Sequence, residues 1–152
     1  MKIANYFNKD NILLNLEASG KSDAIKKLAL LLVGSKKIID FDQFLQDVFD
    51  REQLKTTGIG DQIAIPHARS DAVEDFVIAF GRIPQGMDFD SLDNKPAKLI
   101  FLMGTPANKG INNYLQILAY LTRILNKEDF RKDLLAAKST GEIIEVFKKI
   151  EE

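Results

Sequence analysis

Residues 76–106, FVIAFGRIPQGMDFDSLDNKPAKLIFLMGTP, contain the two segments that decide the fold. Phe76 to Phe80 and Leu99 to Met103 are compact apolar runs, and turn-forming residues bound both of them. Apolar runs with such boundaries predict buried β-strands. The bounding turn residues are Gly81, Pro84, Gly86, Asn94 to Pro96, Gly104 and Pro106.

Two helices are predicted before these strands. The first has Ser22 as a candidate cap, a broad apolar face, and Gly34 as its stop. The second begins after Asp40, with Gln43 at capping-box spacing, and ends near Arg51 to Gln53. Short extended segments are expected at Ile12 to Leu16 and at Ile63 to Ile65.

Three more helices are predicted after the strands. The first follows Gly110, and its apolar residues recur at helical spacing: Ile111, Tyr114, Leu115, Leu118, Leu121 and Leu125. A shorter helix lies around Phe130 to Ala137, and the last begins with the capping pair Ser139 and Glu142. Helices that come before, between and after several short strands along the chain predict an α/β fold, with a mixed β-sheet flanked by α-helices on both faces. We expect a single layered domain over residues 1–152.

Composition narrows the classes of function. The 21 basic and 22 acidic residues nearly balance, so the chain lacks the large positive net charge that would indicate a nucleic-acid partner. The absence of cysteine excludes disulfides, thiolate nucleophiles and thiolate metal sites. No stretch resembles a signal peptide or a membrane span, so we expect a cytoplasmic protein without membrane insertion.

His67 is the one histidine of the chain, which excludes a metal site with several histidines in one subunit. The sequence contains no nucleophile elbow, no P-loop and no complete dinucleotide fingerprint. We therefore expect neither a metal nor a cofactor. The candidate for chemistry is a single imidazole in a glycine-rich segment that we expect to be a loop.

The segment from Arg51 to Ser70, REQLKTTGIGDQIAIPHARS, has residue types that suit phosphoryl transfer. A neutral imidazole is nucleophilic near pH 7 because its usual pKa is about 6.5. A phosphoryl group on the ring carries roughly two negative charges and needs donors such as Arg51, Arg69 and nearby hydroxyls. The same residues also fit a structural histidine, a helix-terminal Arg51 and a solvated Arg69, and composition does not decide between these interpretations.

The same segment resembles the signature of type-2 enzyme IIA domains of the bacterial phosphotransferase system (PTS), the fructose, mannitol and nitrogen-regulatory class. The likeness rests on an Arg near a helix end, the Thr-Gly-Ile-Gly turn and Ala-Ile-Pro-His. It extends to residues 86–106 and to LQILAYL in the following helix, and so covers nearly the whole chain.

The resemblance implies a phosphocarrier in which His67 accepts a phosphoryl group from the protein HPr. His67 then passes it to a cysteine of an enzyme IIB, which phosphorylates a sugar entering through the membrane component IIC. The resemblance further implies that Arg51 stabilises the phosphorylated ring and that Thr57 and Gly58 shape the phosphate pocket.

Tyr114 departs from the family pattern. Many members have a second histidine at this point of the long helix, beside the active one. A phenol can donate a hydrogen bond to a ring nitrogen or to a phosphoryl oxygen, but it is not a second imidazolium at neutral pH. Tyr114 is either part of the phosphate pocket or one of the apolar-face residues of its helix.

Three functions remain open. The first is a carrier for sugar uptake of the fructose or mannitol class. The second is a regulatory module like the nitrogen-type members, whose phosphorylation state controls binding to another protein. The third is a domain that only binds, which the intact set of His67, Arg51, Thr57 and Gly58 disfavours.

Overall fold

The computed structural model describes residues 2–152; Met1, the first residue of the predicted domain, lies outside the described residues. Within this range six strands form one sheet. They are β1 (Ile12–Leu13), β2 (Gly58–Gly60), β3 (Ile63–Ala64), β4 (His67–Ser70), β5 (Val77–Met87) and β6 (Ala97–Pro106). The described range also contains five α-helices: α1 (Lys21–Leu30), α2 (Phe41–Leu54), α3 (Ile111–Leu125), α4 (Glu128–Ala136) and α5 (Thr140–Ile150).

The sheet is mixed, as predicted. Its strand order is β1-β5-β6-β3-β2, and β4 pairs with β6 farther along the same edge as β3. β5 and β6 are antiparallel, whereas β1 runs parallel to β5, and β3 and β4 run parallel to β6. β6 is therefore the central strand, and it fixes the positions of β3 and β4 on one side and β5 on the other.

Helices cover both faces of the sheet, which confirms the predicted α/β fold. Alternate residues of β5 and β6 point to opposite faces. Ile78, Phe80, Leu99, Phe101 and Met103 pack with apolar residues of α3, α4 and α5. Val77, Ala79, Ile100 and Leu102 pack with those of α1 and α2. Because both faces are buried, the two strands are continuous apolar runs and not alternating patterns.

Two predicted caps are confirmed and one is wrong. The side chains of Asp40 and Ser139 accept hydrogen bonds from the amides three residues later, at 3.1 Å in each case. Ser22, in contrast, lies inside the first turn of α1, whose N-cap is Gly20 without a side-chain cap bond. α1 also ends at Leu30, earlier than predicted, because bonds between residues three apart tighten the chain into turns at 31–34.

The two central strands are longer than predicted. Gly81, Pro84 and Gly86 lie inside β5, and Gly104 and Pro106 lie inside β6. A Cβ atom at Gly81 would be 2.6 Å from Leu28 Cδ2, and one at Gly104 would be 2.6 Å from Phe44 Cε1. These two glycines are therefore present because α1 and α2 pack closely on the strands, not because the chain turns there.

Two predicted apolar-face residues of α3 are exposed. Ile111 and Leu115 have 53% and 50% of their surfaces accessible, whereas Ile117, Leu121, Ile124 and Leu125 are buried. The first turn of α3 therefore extends beyond the core. Nowhere in residues 2–152 is there a helix with the length and apolar character that crossing a membrane requires.

Candidate active site

His67 is the first residue of β4 and not part of a loop, so that detail of the sequence prediction is wrong. Parallel pairing places it beside Met103 of β6. The amide of Met103 donates to the carbonyl of Pro66 at 3.0 Å, which ties the backbone before the histidine to β6. Only 7% of the surface of His67 is exposed. The imidazole therefore has a defined position beside the central strand β6.

One ring nitrogen of His67 is committed to the backbone. Nδ1 lies 2.6 Å from the carbonyl oxygen of Ile65. A carbonyl only accepts hydrogen bonds, so this contact assigns the proton to Nδ1 in the neutral ring. Nε2 then carries the free lone pair and is the nitrogen that is able to attack phosphorus.

The surroundings keep the ring neutral. Burial is the largest influence and lowers the pKa of His67 below its usual value of 6.5. The Nδ1 hydrogen bond to Ile65 raises this pKa, the positive charge of Arg51 lowers it, and the negative charge of Glu52 raises it. Because the net direction is downward, the lone pair on Nε2 is present at pH 7 without an activating base.

Nε2 has no hydrogen-bond partner among the described residues, although it is buried. Within the same part of the chain, one other buried side-chain nitrogen or oxygen lacks a partner, the hydroxyl oxygen of Thr105. Unpaired buried polar atoms cost about 1–3 kcal/mol each and are uncommon in folded proteins. Both atoms belong to residues of the β4–β6 pair.

Tyr114 packs against the histidine. Its ring centroid is 5.7 Å from that of His67, with 46° between the ring planes. The residue lies in the first turns of α3 and is half-buried. The structure thus brings Tyr114 to the site, and its role in holding phosphate stays a prediction.

Arg51 lies in the last turn of α2, at the edge of an open cleft of 560 Å³ beside the histidine. Leu54, Arg69 and Tyr114 line the same cleft. Arg51 Nη1 donates to the carbonyl of Lys55 at 2.8 Å. This contact is the one expected if Arg51 serves to stabilise the end of the helix. Its other N–H groups remain available to an anion in the cleft.

Thr57 is buried, and it is linked by hydrogen bonds to Glu52 on one side and to the backbone of Ile65 on the other. Its amide and its hydroxyl both donate to the carboxylate of Glu52, at 2.8 and 2.5 Å. Glu52 in turn pairs with Lys21 at 2.7 Å. The carbonyl of Thr57 accepts from the amide of Ile65 at 3.0 Å. Thr57 therefore positions the residue whose own carbonyl binds His67.

Gly58 serves close packing. A Cβ atom there would be 2.6 Å from Ser91 Oγ and 2.9 Å from Ser91 Cα. Its amide donates to Thr56 Oγ1 at 3.0 Å. The space beside Gly58 is thus occupied by the segment around Ser91, and its predicted role in the phosphate pocket stays untested.

Sequence reasoning missed three residues that hold the segment before the histidine: Lys21, Glu52 and Ile65. It also missed the buried, unpaired hydroxyl of Thr105 on the neighbouring strand. Glu52 stands next to Arg51 in the sequence, but only the fold shows that its side chain points inward. Thr105 lies between Gly104 and Pro106, which were interpreted as turn residues, and no sequence pattern indicates that its hydroxyl is buried without a partner.

The arrangement offers a fixed, neutral imidazole with one free nitrogen, beside a cleft that contains two guanidinium groups. Such a site suits attack on a phosphoryl group and electrostatic stabilisation of the product. Among residues 2–152, no three His, Asp or Glu side chains are grouped so that they could hold a metal ion.

Comparison with known proteins identifies the family. The family model described as phosphoenolpyruvate-dependent sugar phosphotransferase system, EIIA 2, matches residues 5–150. The PTS system fructose-specific EIIA component of Haloferax volcanii is 42% identical over 132 residues, which are 87% of this chain and 85% of that protein. The PTS system fructose-specific EIIABC component of Bacillus subtilis is 39% identical over 147 residues. That match covers 96% of this chain but only 23% of the longer relative.

Solved structures agree with this assignment. The crystal structure of nitrogen regulatory protein IIA-Ntr from Neisseria meningitidis has a TM-score of 0.87 at 28% identity, covering 95% of this chain and 98% of that one. Enzyme IIA-Mtl in its complex with phosphorylated enzyme IIB-Mtl from Escherichia coli has a TM-score of 0.80 at 25% identity, covering 94% and 97%. On the family match and the agreement in fold, the chain belongs to the EIIA 2 family of the phosphoenolpyruvate-dependent sugar phosphotransferase system.

Proposed function

We propose that the chain is a cytoplasmic phosphocarrier that accepts a phosphoryl group from phospho-HPr on Nε2 of His67. It then donates the group to a cysteine of an enzyme IIB, for uptake of a sugar of the fructose or mannitol class through a IIC component. The observation that carries the proposal is the hydrogen bond from Nδ1 to Ile65, because it leaves Nε2 as a free nucleophile in a buried, neutral ring.

Each transfer exchanges one bond to phosphorus for another. In the first, the lone pair of Nε2 forms the new N–P bond while the N–P bond to the donor histidine breaks, and the donor nitrogen recovers its lone pair. In the second, a cysteine thiolate of IIB forms an S–P bond while the bond to Nε2 breaks. The Nδ1–H group remains hydrogen-bonded to the Ile65 carbonyl throughout, so His67 needs no proton transfer in either step.

The surface around the cleft suits protein partners. Leu54, at the cleft, has 83% of its surface exposed, and Ile111 and Leu115 flank Tyr114 on α3 with about half of theirs exposed. Exposed apolar groups beside a reactive residue are typical of a docking surface. The likeness to a IIA in complex with phosphorylated IIB, and the match to part of an EIIABC protein, support an enzyme IIB as the acceptor.

The alternative is a regulatory role. It is supported by the likeness to a nitrogen regulatory protein, which has the higher TM-score of the two structures compared. In this case His67 is phosphorylated in the same way, but the phosphorylation state governs binding to a partner protein and no sugar is phosphorylated.

Reconstitution distinguishes the two roles. The purified chain is incubated with phosphoenolpyruvate, enzyme I and HPr, and then with a panel of IIB proteins, and intact mass is measured at neutral or alkaline pH. Transfer of the label from His67 to a fructose- or mannitol-class IIB supports the transport role. Labelling of His67 without transfer to any IIB supports the regulatory role, and no labelling contradicts both.

A further inference from the structure

The two unpaired buried atoms of the site lie on neighbouring strands. In the parallel pairing of β4 with β6, His67 is beside Met103 and Arg69 is beside Thr105. Alternate residues of a strand share a face, so the side chains of His67 and Thr105 emerge on the same face of the sheet. This is the face that α3 covers, because Met103 belongs to the apolar cluster that contains Ile117 and Leu121.

The spacing between the two residues suits a bridging group. Strand separation and residue rise place their Cα atoms roughly 8 Å apart on the diagonal. The imidazole ring, a phosphoryl group on it and one hydrogen bond of about 2.7 Å are able to span this separation. Neither His67 Nε2 nor Thr105 Oγ1 has a hydrogen-bond partner among the described residues.

The orientation of the ring also favours Thr105. Nδ1 is held by the carbonyl of Ile65, which lies two residues before the start of β4. In an imidazole, the Nδ1–H bond and the Nε2 lone pair point in widely divergent directions, so the lone pair is directed away from the Ile65 carbonyl. Thr105 lies on the opposite side of His67 from Ile65 along the strand direction.

Other hydroxyls near the histidine in sequence have already used their single proton. Each donates to an oxygen of the protein: Thr56 to the Phe89 carbonyl at 2.8 Å, Thr57 to Glu52 at 2.5 Å and Ser70 to Asp47 at 2.5 Å. Thr105 has only 3% of its surface exposed, and its hydroxyl has no hydrogen-bond acceptor among the described residues. It is the buried hydroxyl whose proton is still available.

We propose that the hydroxyl of Thr105 donates a hydrogen bond to the phosphoryl group on Nε2 of His67. This inference rests on the proposed function and adds to it a residue that contacts the transferred group. Phosphorylation then satisfies both atoms at once: the Nε2 lone pair enters the N–P bond, and Thr105 Oγ1–H points to a non-bridging oxygen. In the unphosphorylated protein, His67 Nε2 and Thr105 Oγ1 are therefore two preformed contact points for the phosphoryl group.

The test compares Thr105→Val with Thr105→Ser, because valine keeps the shape without the hydroxyl and serine keeps the hydroxyl. Each variant is equilibrated with a fixed ratio of HPr to phospho-HPr and is also phosphorylated with phosphoramidate, a small donor that does not depend on docking. We expect the valine variant to hold the phosphoryl group about tenfold less well than wild type, and serine to stay close to wild type. The phosphorus NMR shift of the phosphohistidine should also change in the valine variant.

The thermal midpoint separates a phosphate contact from a structural role. Without phosphate, Thr105→Val should melt at or above the wild-type temperature, because it removes a buried hydroxyl that has no partner. The rise in melting temperature on phosphorylation should be smaller in Thr105→Val than in wild type. Thr56→Val is the matched control, since its hydroxyl already donates to Phe89: it should melt lower and keep wild-type phosphoryl equilibrium.

Two results overturn the inference. If wild type is labelled and Thr105→Val retains the wild-type equilibrium and NMR shift, Thr105 does not contact the phosphoryl group while the proposed function stands. If wild type takes no label from either phospho-HPr or phosphoramidate, the proposed function fails and the inference fails with it.

Discussion

Nδ1 of His67 donates to the carbonyl oxygen of Ile65 at 2.6 Å, and the amide of Ile65 donates to the carbonyl of Thr57 at 3.0 Å. The reactive ring is thus oriented by the backbone of its own segment, and that segment is anchored through Thr57 to the buried carboxylate of Glu52. Orientation by backbone carbonyls leaves free N–H groups of Arg51 and Arg69, which line the cleft, available for the phosphoryl group.

The first prediction concerns Arg51. Arg51→Ala should slow phosphoryl transfer about ten- to a hundredfold, because it removes a charge-assisted contact worth roughly 1.5–3 kcal/mol. Arg51→Lys should recover only part of the rate, since an ammonium lacks the guanidinium fork. Single-turnover transfer from phospho-HPr measures both, with Arg123→Ala as a control that removes a guanidinium near Tyr120 on α3. A wild-type rate in Arg51→Ala would return Arg51 to a purely helix-terminal role and make Arg69 the next candidate.

The second prediction concerns Tyr114. If its hydroxyl reaches the phosphoryl group, Tyr114→Phe should weaken phosphohistidine stability or transfer by about 0.5–1.5 kcal/mol, and Tyr114→His should stay active. If the ring only packs on His67, the phenylalanine variant should transfer normally and the histidine variant should lose thermal stability. Measuring transfer rate and melting temperature for both variants decides between the two roles.

The third prediction is a pH dependence. Burial lowers the pKa of His67 in the folded chain, so between that value and the unfolded value of 6.5 the unfolded state binds more protons. The contribution of His67 to stability is therefore complete above pH 6.5 and is lost as pH falls from 6.5 through the lowered pKa. Melting temperatures of wild type and His67→Gln across this range test it: the difference between their pH profiles should appear only below pH 6.5. Parallel profiles throughout would contradict the direction of the pKa shift.

Arg51 should also influence this titration. Its positive charge lowers the pKa of His67, so Arg51→Ala should move the His67 titration toward higher pH. The ring protons of the single histidine give a direct NMR readout. An unchanged or lower titration midpoint would show that the guanidinium does not act on the ring.

The fourth prediction concerns Gly58. Gly58→Ala should destabilise the fold by about 1–3 kcal/mol, because the new Cβ would meet the backbone of Ser91 at 2.9 Å as well as its side chain at 2.6 Å. Gly34→Ala is the matched control, since no atom lies within 4 Å of a Cβ there and Gly34 does not cap a helix. Denaturant unfolding of the two variants gives the comparison, and equal stabilities would show that the segment around Ser91 yields easily.

Sequence patterns predicted the existence and type of the main elements because periodicity reflects burial. β5 and β6 were predicted from apolar runs, and α2 and α5 from capping pairs that the structure confirms. Strand ends were less predictable. Gly81 and Gly104 were interpreted as turn residues, but close packing by Leu28 and Phe44 from distant segments requires glycine inside the strands.

The site was predictable only in part. His67, Arg51 and Tyr114 were predicted as site residues. The fold places Arg51 and Tyr114 in one cleft and the ring of Tyr114 against that of His67. The resemblance provided their roles, which spacing alone did not establish. Thr105 and Glu52 were missed because their importance depends on hydrogen-bond partners, or the lack of one, that the chain acquires only on folding.

The most direct measurement locates the phosphoryl group. The chain and His67→Gln are incubated with phosphoenolpyruvate, enzyme I and HPr, and label is mapped at alkaline pH by intact mass and by NMR of the imidazole. We expect one acid-labile phosphoryl group per wild-type chain, on Nε2 of His67, and none on a folded His67→Gln variant. Acid-labile label on His67→Gln, or phosphate on Nδ1 of the wild-type ring, would contradict the central role of His67 Nε2.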